Sequence, residues 1–168
     1  MSEPVHTVRA ARPEDAEAIA EAWLDAGRYY AAFDPRRYQV PSEDGLAEWL
    51  SGLLGKPRAD DELWLAADSG GRVVGDITAS LSRPAPDARF QMMRHVGEVV
   101  VRIDSLVVRE ADRRRGAGTA LMRAAEAWGR ERGAASIFLN TDMRSPLSVP
   151  FYEHLGLEAV SVGFWKPL

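Results

Sequence analysis

The stretch from Leu106 to Gly133, LVVREADRRRGAGTALMRAAEAWGRERG, decides the fold. It opens at the end of a β-branched, apolar run that reads as a long strand over Glu98 to Val108. A charged loop follows, then Gly116-Ala117-Gly118, then Leu121, Ala124, Ala125 and Trp128 recurring at i, i+3, i+4 and i+7. That spacing places the four on one helix face over Gly116 to Arg132, with Gly133 as the C-terminal stop. Glycines at such an opening let backbone N–H groups approach a ligand without interference from a Cβ. The first helical turn holds unpaired donors and a partial positive charge, so it attracts anions. Arg113, Arg114 and Arg115 add charge beside those donors. The plainer alternative is a glycine turn that starts a surface helix, with its arginines merely solvated. Neither the dinucleotide-binding G-x-G-x-x-G pattern nor the Walker A pattern is met, so the segment reads as a phosphate site of a third kind.

Upstream of this segment, His6 to Ala11 reads as a first strand and Pro13 to Ala26 as a helix ended by Gly27. Arg28 to Pro41 is aromatic and irregular, and a second helix follows, capped by Ser42, with Leu46, Trp49, Leu50 and Leu53 as its apolar face. Glu62 to Asp68 and Arg72 to Ser82, joined through Ser69-Gly70-Gly71, form a hairpin. Pro84 to Arg94 reads as a loop. Downstream, Ser136 to Thr141 is a strand, and Ser145-Pro146 opens a short helix through Leu155 that Gly156 ends. Val160 to Lys166 is a final strand. The expected order β-α-α-β-β-β-α-β-α-β describes a mixed α/β sheet with helices packed on it.

The 168 residues fit a single domain, with no internal repeat or long linker. The chain contains no cysteine, which excludes disulfides, thiolate metal sites and a cysteine nucleophile, and suits a reducing cytoplasm. A formal net charge of −4 does not favour a nucleic-acid partner. No apolar run is long enough to span a bilayer, and Met1 to Arg9 lacks the pattern of a secretory leader. His6, His95 and His154 are isolated and no metal-ligand spacing is present, so no metal is expected.

Arg113-Arg114-Arg115-Gly116-Ala117-Gly118 resembles the Q/R-x-x-G-x-G/A signature of the GCN5-related N-acetyltransferase (GNAT) superfamily. Phe151-Tyr152-Glu153-His154-Leu155-Gly156-Leu157 is similar to its F-Y-x-x-x-G-F segment, with Leu157 in place of the usual Phe. Val8 to Ala16 is similar to the common opening of the family. The resemblance implies one domain over residues 1–168, with a mostly antiparallel twisted sheet of six to seven strands, splayed between strands 4 and 5, and about four helices. It implies acetyl-CoA as cosubstrate, its pyrophosphate held by backbone N–H groups of Arg114 to Thr119, with Arg113, Arg115, Gly116, Ala117 and Gly118 in the same cradle. The pantetheine arm would lie against Leu106, Val107 and Val108, where its amides would satisfy the unpaired edge of the splayed sheet.

An amine nucleophile must lose a proton before attack, and the departing thiolate must gain one. Tyr152 falls at the family's tyrosine position and is the candidate proton donor; its alternative is an amphipathic core tyrosine. Asp104 is the candidate base, on the fourth strand where some members carry a histidine. An acid amid Val99, Val100, Val101, Ile103 and Leu106 is expected to be raised in pKa. A structural ion pair with Arg102 is the equal alternative, and Glu98 is a weaker base. Arg102 stands where histone-acetylating members carry a glutamate, which argues against a histone-type mechanism. Ser145 and Ser148 replace the Asn and Ala that many members carry before the tyrosine, and either is a candidate cofactor contact.

The acceptor region of the family corresponds here to Tyr29, Tyr30, Phe33, Asp34 and Tyr38, aromatic walls with one carboxylate that would suit an amine carrying apolar bulk. The plainer alternative is that these aromatics tie an irregular segment to the core. Pro84 to Val96, with Phe90, Met92 and Met93, is a candidate second wall or the contact of a homodimer. The resulting expectation is an acetyltransferase acting on a small-molecule or peptide amine through a ternary complex. Its alternatives are a non-catalytic acyl-CoA-binding or regulatory module and, more remotely, a nucleotide-phosphate binder of unrelated fold.

Overall fold

The computed structural model describes residues 6–167, so residues 1–5 of the Met1 to Arg9 reading lie outside it. β1 (Thr7–Ala10) leads through a 3-10 turn at Pro13–Asp15 into α1 (Ala16–Phe33) and then α2 (Leu46–Leu54). β2 (Glu62–Ser69), β3 (Arg72–Ser82) and β4 (Val100–Val108) follow, then α3 (Ala117–Glu131), β5 (Ser136–Leu139) and α4 (Ser148–His154). The entry to α1 is fixed by a paired fork: both Arg9 Nη atoms donate to Asp15, at 2.7 and 2.8 Å, and the Arg12 N–H donates to the same carboxylate at 2.8 Å. The Arg9 bond, followed by the Arg12 N–H, holds the Asp15 carboxyl below its usual range although burial opposes it.

The strands lie in the order β1-β2-β3-β4-β5. The first four are antiparallel neighbours, with only β2 and β3 joined by a short turn. The connection from β4 to β5 runs through α3, and the N–H of Ala135, just before β5, donates to the carbonyl of Val99, just before β4, at 2.9 Å. Both strands therefore start at the same end and run parallel, which makes the sheet mixed. β5 has 4 residues against 9 in β4, so it accompanies only the first part of β4. Ser105 to Val108 continue past it towards the loop that opens α3.

One face of the sheet is covered by α1 and α2, where Ile19, Leu24, Leu46, Leu50, Trp64 and Ala66 form a continuous core. α3 contributes Leu121, Met122, Ala125 and Trp128, all buried, as their spacing requires. Gly129 of α3 lies directly on the Val101 side chain, a closeness that a Cβ would prevent.

Four expectations are corrected. The described residues form five strands rather than six to seven. Val160 to Lys166 takes no strand, and Val160, Val162 and Phe164 are exposed, so their alternation is buried against nothing that would enforce a ladder. Gly27 does not stop the first helix, which continues to Phe33; the missing side chain instead makes room for the Pro41 ring. Ser42 does not cap α2, which starts at Leu46 after a left-handed Gly45 with φ 77°, while the Ser42 hydroxyl donates to the Asp44 carbonyl.

The chain forms two compact units by its contacts, one ending at Phe138 and one beginning at Leu139. The second contains α4, preceded by a turn at Asp142 to Ser145 in which the Arg144 N–H donates to Asp142 Oδ1 at 3.0 Å.

Candidate active site

β4 carries the first element of the site. Thr78 of β3 pairs with Ser105 and Ala79 with Ile103, so Asp104 is an extra residue in β4, a β-bulge. The bulge turns Asp104 outwards, and Ser80 Oγ donates to its Oδ2 at 3.0 Å. The carboxylate is exposed, so the apolar burial expected around it is absent. Arg102, its expected ion-pair alternative, places its guanidinium over the Phe138 ring at 5.9 Å. Glu98 lies outside β4, as the cap of a short 3-10 turn.

The loop leaving β4 is tied to α1. The Glu110 N–H donates to Asp25 at 2.8 Å, and Arg109 Nη2 meets Glu21 at 3.0 Å. Arg113 turns back, its Nε donating to the Val108 carbonyl at 3.1 Å and its guanidinium lying 5.9 Å from the Tyr29 ring. Arg114 has φ 61°, the one non-glycine residue with positive φ among those described, and Gly116 follows at φ 88°. A left-handed non-glycine residue costs on the order of 1–2 kcal/mol and persists where the surroundings impose it.

Left-handed residues of this kind are the ones that, next to right-handed neighbours, form main-chain turns suited to anions. The first helical bond of α3 runs from the Ala120 N–H to the Gly116 carbonyl at 2.9 Å, so the preceding N–H groups have no helical acceptor. Arg114, Arg115 and Gly116 are exposed and Gly118 and Thr119 half-buried, which leaves the cradle open to a ligand. Gly116 holds a left-handed conformation unfavourable to any Cβ, and unpaired helical donors with Arg114 and Arg115 beside them are the chemistry that an anion such as a diphosphate requires. Leu106, Val107 and Val108, each half-buried, lead into this cradle. His6 was not anticipated here: its Nε2 lies 2.6 Å from the Arg115 carbonyl and braces the loop from the start of β1.

Tyr29, Tyr30 and Phe33 occupy the last turns of α1. Tyr29 meets Tyr30 edge-on at 5.0 Å and stacks with Phe33 at 6.4 Å, and Tyr30 lies 4.9 Å from Tyr38. Asp34 is 4% exposed and its Oδ1 accepts from the N–H and Nε of Arg36, which places it as the organiser of the turn after α1.

In the second unit, Tyr152 is half-buried on α4, edge-on to Phe151 at 5.1 Å. Ser145 is buried and its Oγ accepts the Ser148 N–H at 3.1 Å while donating to Ser148 Oγ. This serine organises the turn that leads into α4 but is not the helix cap expected of it, since α4 starts at Ser148 with Leu147 at its N-cap.

Asp76 on β3 is a residue the sequence reading missed. It is 0% exposed, faces Val107 across the β3–β4 ladder, and accepts from Trp64 Nε1 at 2.7 Å. Burial pushes its carboxyl up to about 7, against the opposing pull of the Trp64 and Trp23 indoles. The available signal was its position: an acid inside the apolar alternation Val74-Asp76-Thr78 on the face that α1 covers.

A mixed sheet whose fourth strand runs into a helix started by a left-handed glycine is the α/β arrangement that carries the comparisons below. The chain belongs to the acetyltransferase (GNAT) family, whose model matches residues 16–157. No curated protein matches the sequence. Among solved structures, a transcriptional regulator from Bacillus halodurans C-125 is 22% identical with a TM-score of 0.73, covering 98% of this chain and 100% of its own. A glucosamine-6-phosphate N-acetyltransferase from Arabidopsis thaliana is 14% identical with a TM-score of 0.69, covering 97% and 98%. An aminoglycoside acetyltransferase from an uncultured soil metagenomic sample is 18% identical with a TM-score of 0.63, covering 97% and 96%. At these identities the likeness is one of fold.

Among the described residues no helix is long and apolar enough to cross a membrane, and no group of three or more His, Asp or Glu is placed to hold a metal ion.

Proposed function

We propose that this protein is an acetyl-CoA-dependent N-acetyltransferase that moves an acetyl group directly to an amine of a small molecule or peptide within a ternary complex. The observation that carries this reading is the opening of α3 after β4, where Arg114 and Gly116 are both left-handed and the N–H groups ahead of Ala120 have no helical acceptor. The family match spans residues 16–157 across both compact units, which supports reading the chain as one domain. The lack of cysteine suits a cytoplasmic setting.

Bound acetyl-CoA supplies an activated acyl thioester. N–H groups of Arg114 to Thr119 hold its diphosphate, with Arg114 and Arg115 adding positive charge. Leu106 to Val108 offer main-chain groups to the amides of its arm, beyond the reach of β5. A main-chain N–H in the Val107–Val108 region donates to the negative charge that builds on the acyl oxygen. Asp104, held by Ser80, takes up the amine proton, directly or through water. The Tyr152 hydroxyl gives its proton to the sulfur. Tyr29, Tyr30 and Phe33 form the acceptor wall, while Asp34 shapes the turn beneath it.

The test is thiol release from acetyl-CoA against a panel of polyamines, amino acids, aminoglycosides and peptide N-termini. Release with at least one amine supports the reading. Tight coenzyme A binding without release for any amine identifies a non-catalytic acyl-CoA-binding module instead.

A further inference from the structure

Asp76 and Trp23 each bury a polar atom that lacks a close hydrogen-bond partner, although the Trp23 indole is near enough to act on the Asp76 carboxyl as a weak donor. Asp76 Oδ1 and Trp23 Nε1 are both buried and neither has a hydrogen-bond partner. The Trp23 indole acts on the same carboxyl that Trp64 already binds. An orphaned buried donor beside an orphaned buried acceptor is costly, and native structures rarely keep both without a reason.

The three groups come from three elements. Asp76 lies on β3, Trp64 on β2 and Trp23 on α1. Along the covered face, Asp76 is flanked by Ala66 on β2 and Val107 on β4. The groups that act on the carboxyl are these two neutral indoles, with no charged partner among the causes of its shift. The charged groups of α1 on either side of Trp23 are engaged elsewhere: Glu21 with Arg72 and Arg109, and Asp25 with Arg28 and the Glu110 N–H. Arg58 lies over the Trp64 ring at 4.8 Å.

We propose that Asp76 is a positioning residue, which ties α1 to the sheet through the indole N–H groups of Trp64 and Trp23, with its proton deciding whether the second tie is made. The neutral acid accepts from Trp64 on Oδ2 and carries its proton on Oδ1, where it meets the Trp23 N–H, a second donor rather than an acceptor, so the tie to Trp23 is not made. The carboxylate is an acceptor on both oxygens, and buried without water it needs both indoles. Loss of the proton therefore draws Trp23 onto Oδ1 and pulls α1 against β3. The last turns of that helix carry Tyr29, Tyr30 and Phe33, so the inference deepens the acceptor site of the proposed transferase and rests on that reading for its effect on turnover.

The experiment follows the five tryptophan indole resonances by NMR between pH 5.5 and 8.5, with assignments from single Trp→Phe variants. In the wild-type protein the Trp23 and Trp64 indole protons are expected to shift together with one midpoint, the Trp23 proton moving downfield as pH rises. Asp76→Asn abolishes both shifts. Trp23→Phe leaves the Trp64 shift in place with its midpoint moved upwards, because the carboxylate has lost one donor. This variant keeps the test decisive if Asp76→Asn fails to fold. Flat indole resonances in the wild type, shifts that survive in Asp76→Asn, or an unchanged midpoint in Trp23→Phe would each overturn the proposal. None of these readings requires turnover, so they stand apart from the transferase assignment. Where an amine acceptor is found, its KM is expected to change several-fold more across the same pH range in the wild type than in Asp76→Asn, in which only the amine and its base still titrate, with coenzyme A affinity unmoved; equal pH dependence in both refutes the link to the acceptor.

Discussion

At the scale of single residues, the pH dependence of stability turns on Asp76. The unfolded chain gives up this proton near 3.8 and the folded chain near 7. Between those values unfolding releases a proton, so stability falls as pH rises. The contribution is fully present below the lower value and lost once pH passes the upper one. Asp76→Asn removes the titration, and comparison with it cancels groups such as Asp15, whose lowered carboxyl works in the opposite sense at acid pH. The stability advantage of the wild type over this variant is expected to fall by about 3 kcal/mol between pH 5 and pH 8. Urea unfolding at the two pH values measures it, and a constant difference would contradict a buried neutral acid. For Tyr152 the expectation concerns chemistry alone. Tyr152→Phe keeps the ring and its contact with Phe151 but removes the proton, so turnover drops roughly 100-fold. Coenzyme A affinity stays within about two-fold, since the loss of a proton donor does not weaken binding. An affinity loss as large as the rate loss would assign Tyr152 to binding instead.

At the scale of elements, the join of β4 to α3 is where local chemistry and fold coincide. Gly116→Val forces a β-branched side chain to φ 88° at the helix cap, at a cost of at least ~1–2 kcal/mol, and so disturbs the main-chain donors that open α3. Coenzyme A affinity is expected to fall more than about ten-fold by calorimetry, with the far-ultraviolet helix signal kept; full affinity in this variant would place the ligand elsewhere. This strand, loop and helix were legible because each signal is local: β-branched residues, a glycine pair, and a 3.6-residue apolar period ending at Gly133. What was not legible depended on distant neighbours. Gly27 reads as a stop, and only the approach of Pro41 explains it inside a helix. The bulge at Asp104 is a matter of register between two strands, which no single strand records. Asp76 resembles any polar residue in an alternating strand until two tryptophans from other elements close over it. Val160 to Lys166 has a strand's alternation, but alternation describes a capacity to pair, and pairing needs a partner.

At the scale of the whole molecule, charge and site pull against each other. The chain carries a net −4 and the proposed ligand is itself an anion, so the overall field does not assist capture. Attraction must come from the short range, from the α3 donors and from Arg114 and Arg115, which are exposed beside them. Two consequences follow for binding. First, saturation with coenzyme A at about 100 times its dissociation constant should stabilise the fold by about 2.7 kcal/mol. In a chain of 168 residues that corresponds to a rise in Tm of roughly 5–10 °C. ATP and NAD offer the diphosphate without the arm that lies along Leu106 to Val108, and should raise Tm by less than half as much. Second, the exposed arginines are screened by salt, so raising ionic strength from about 0.05 to 0.5 M weakens the gain from coenzyme A without removing it, because the main-chain donors remain. Thermal melts with the three ligands at both salt concentrations separate the readings. Equal stabilisation by ATP and coenzyme A would indicate a site that reads phosphates alone, and no stabilisation by any of them would leave the opening of α3 as an ordinary solvated turn.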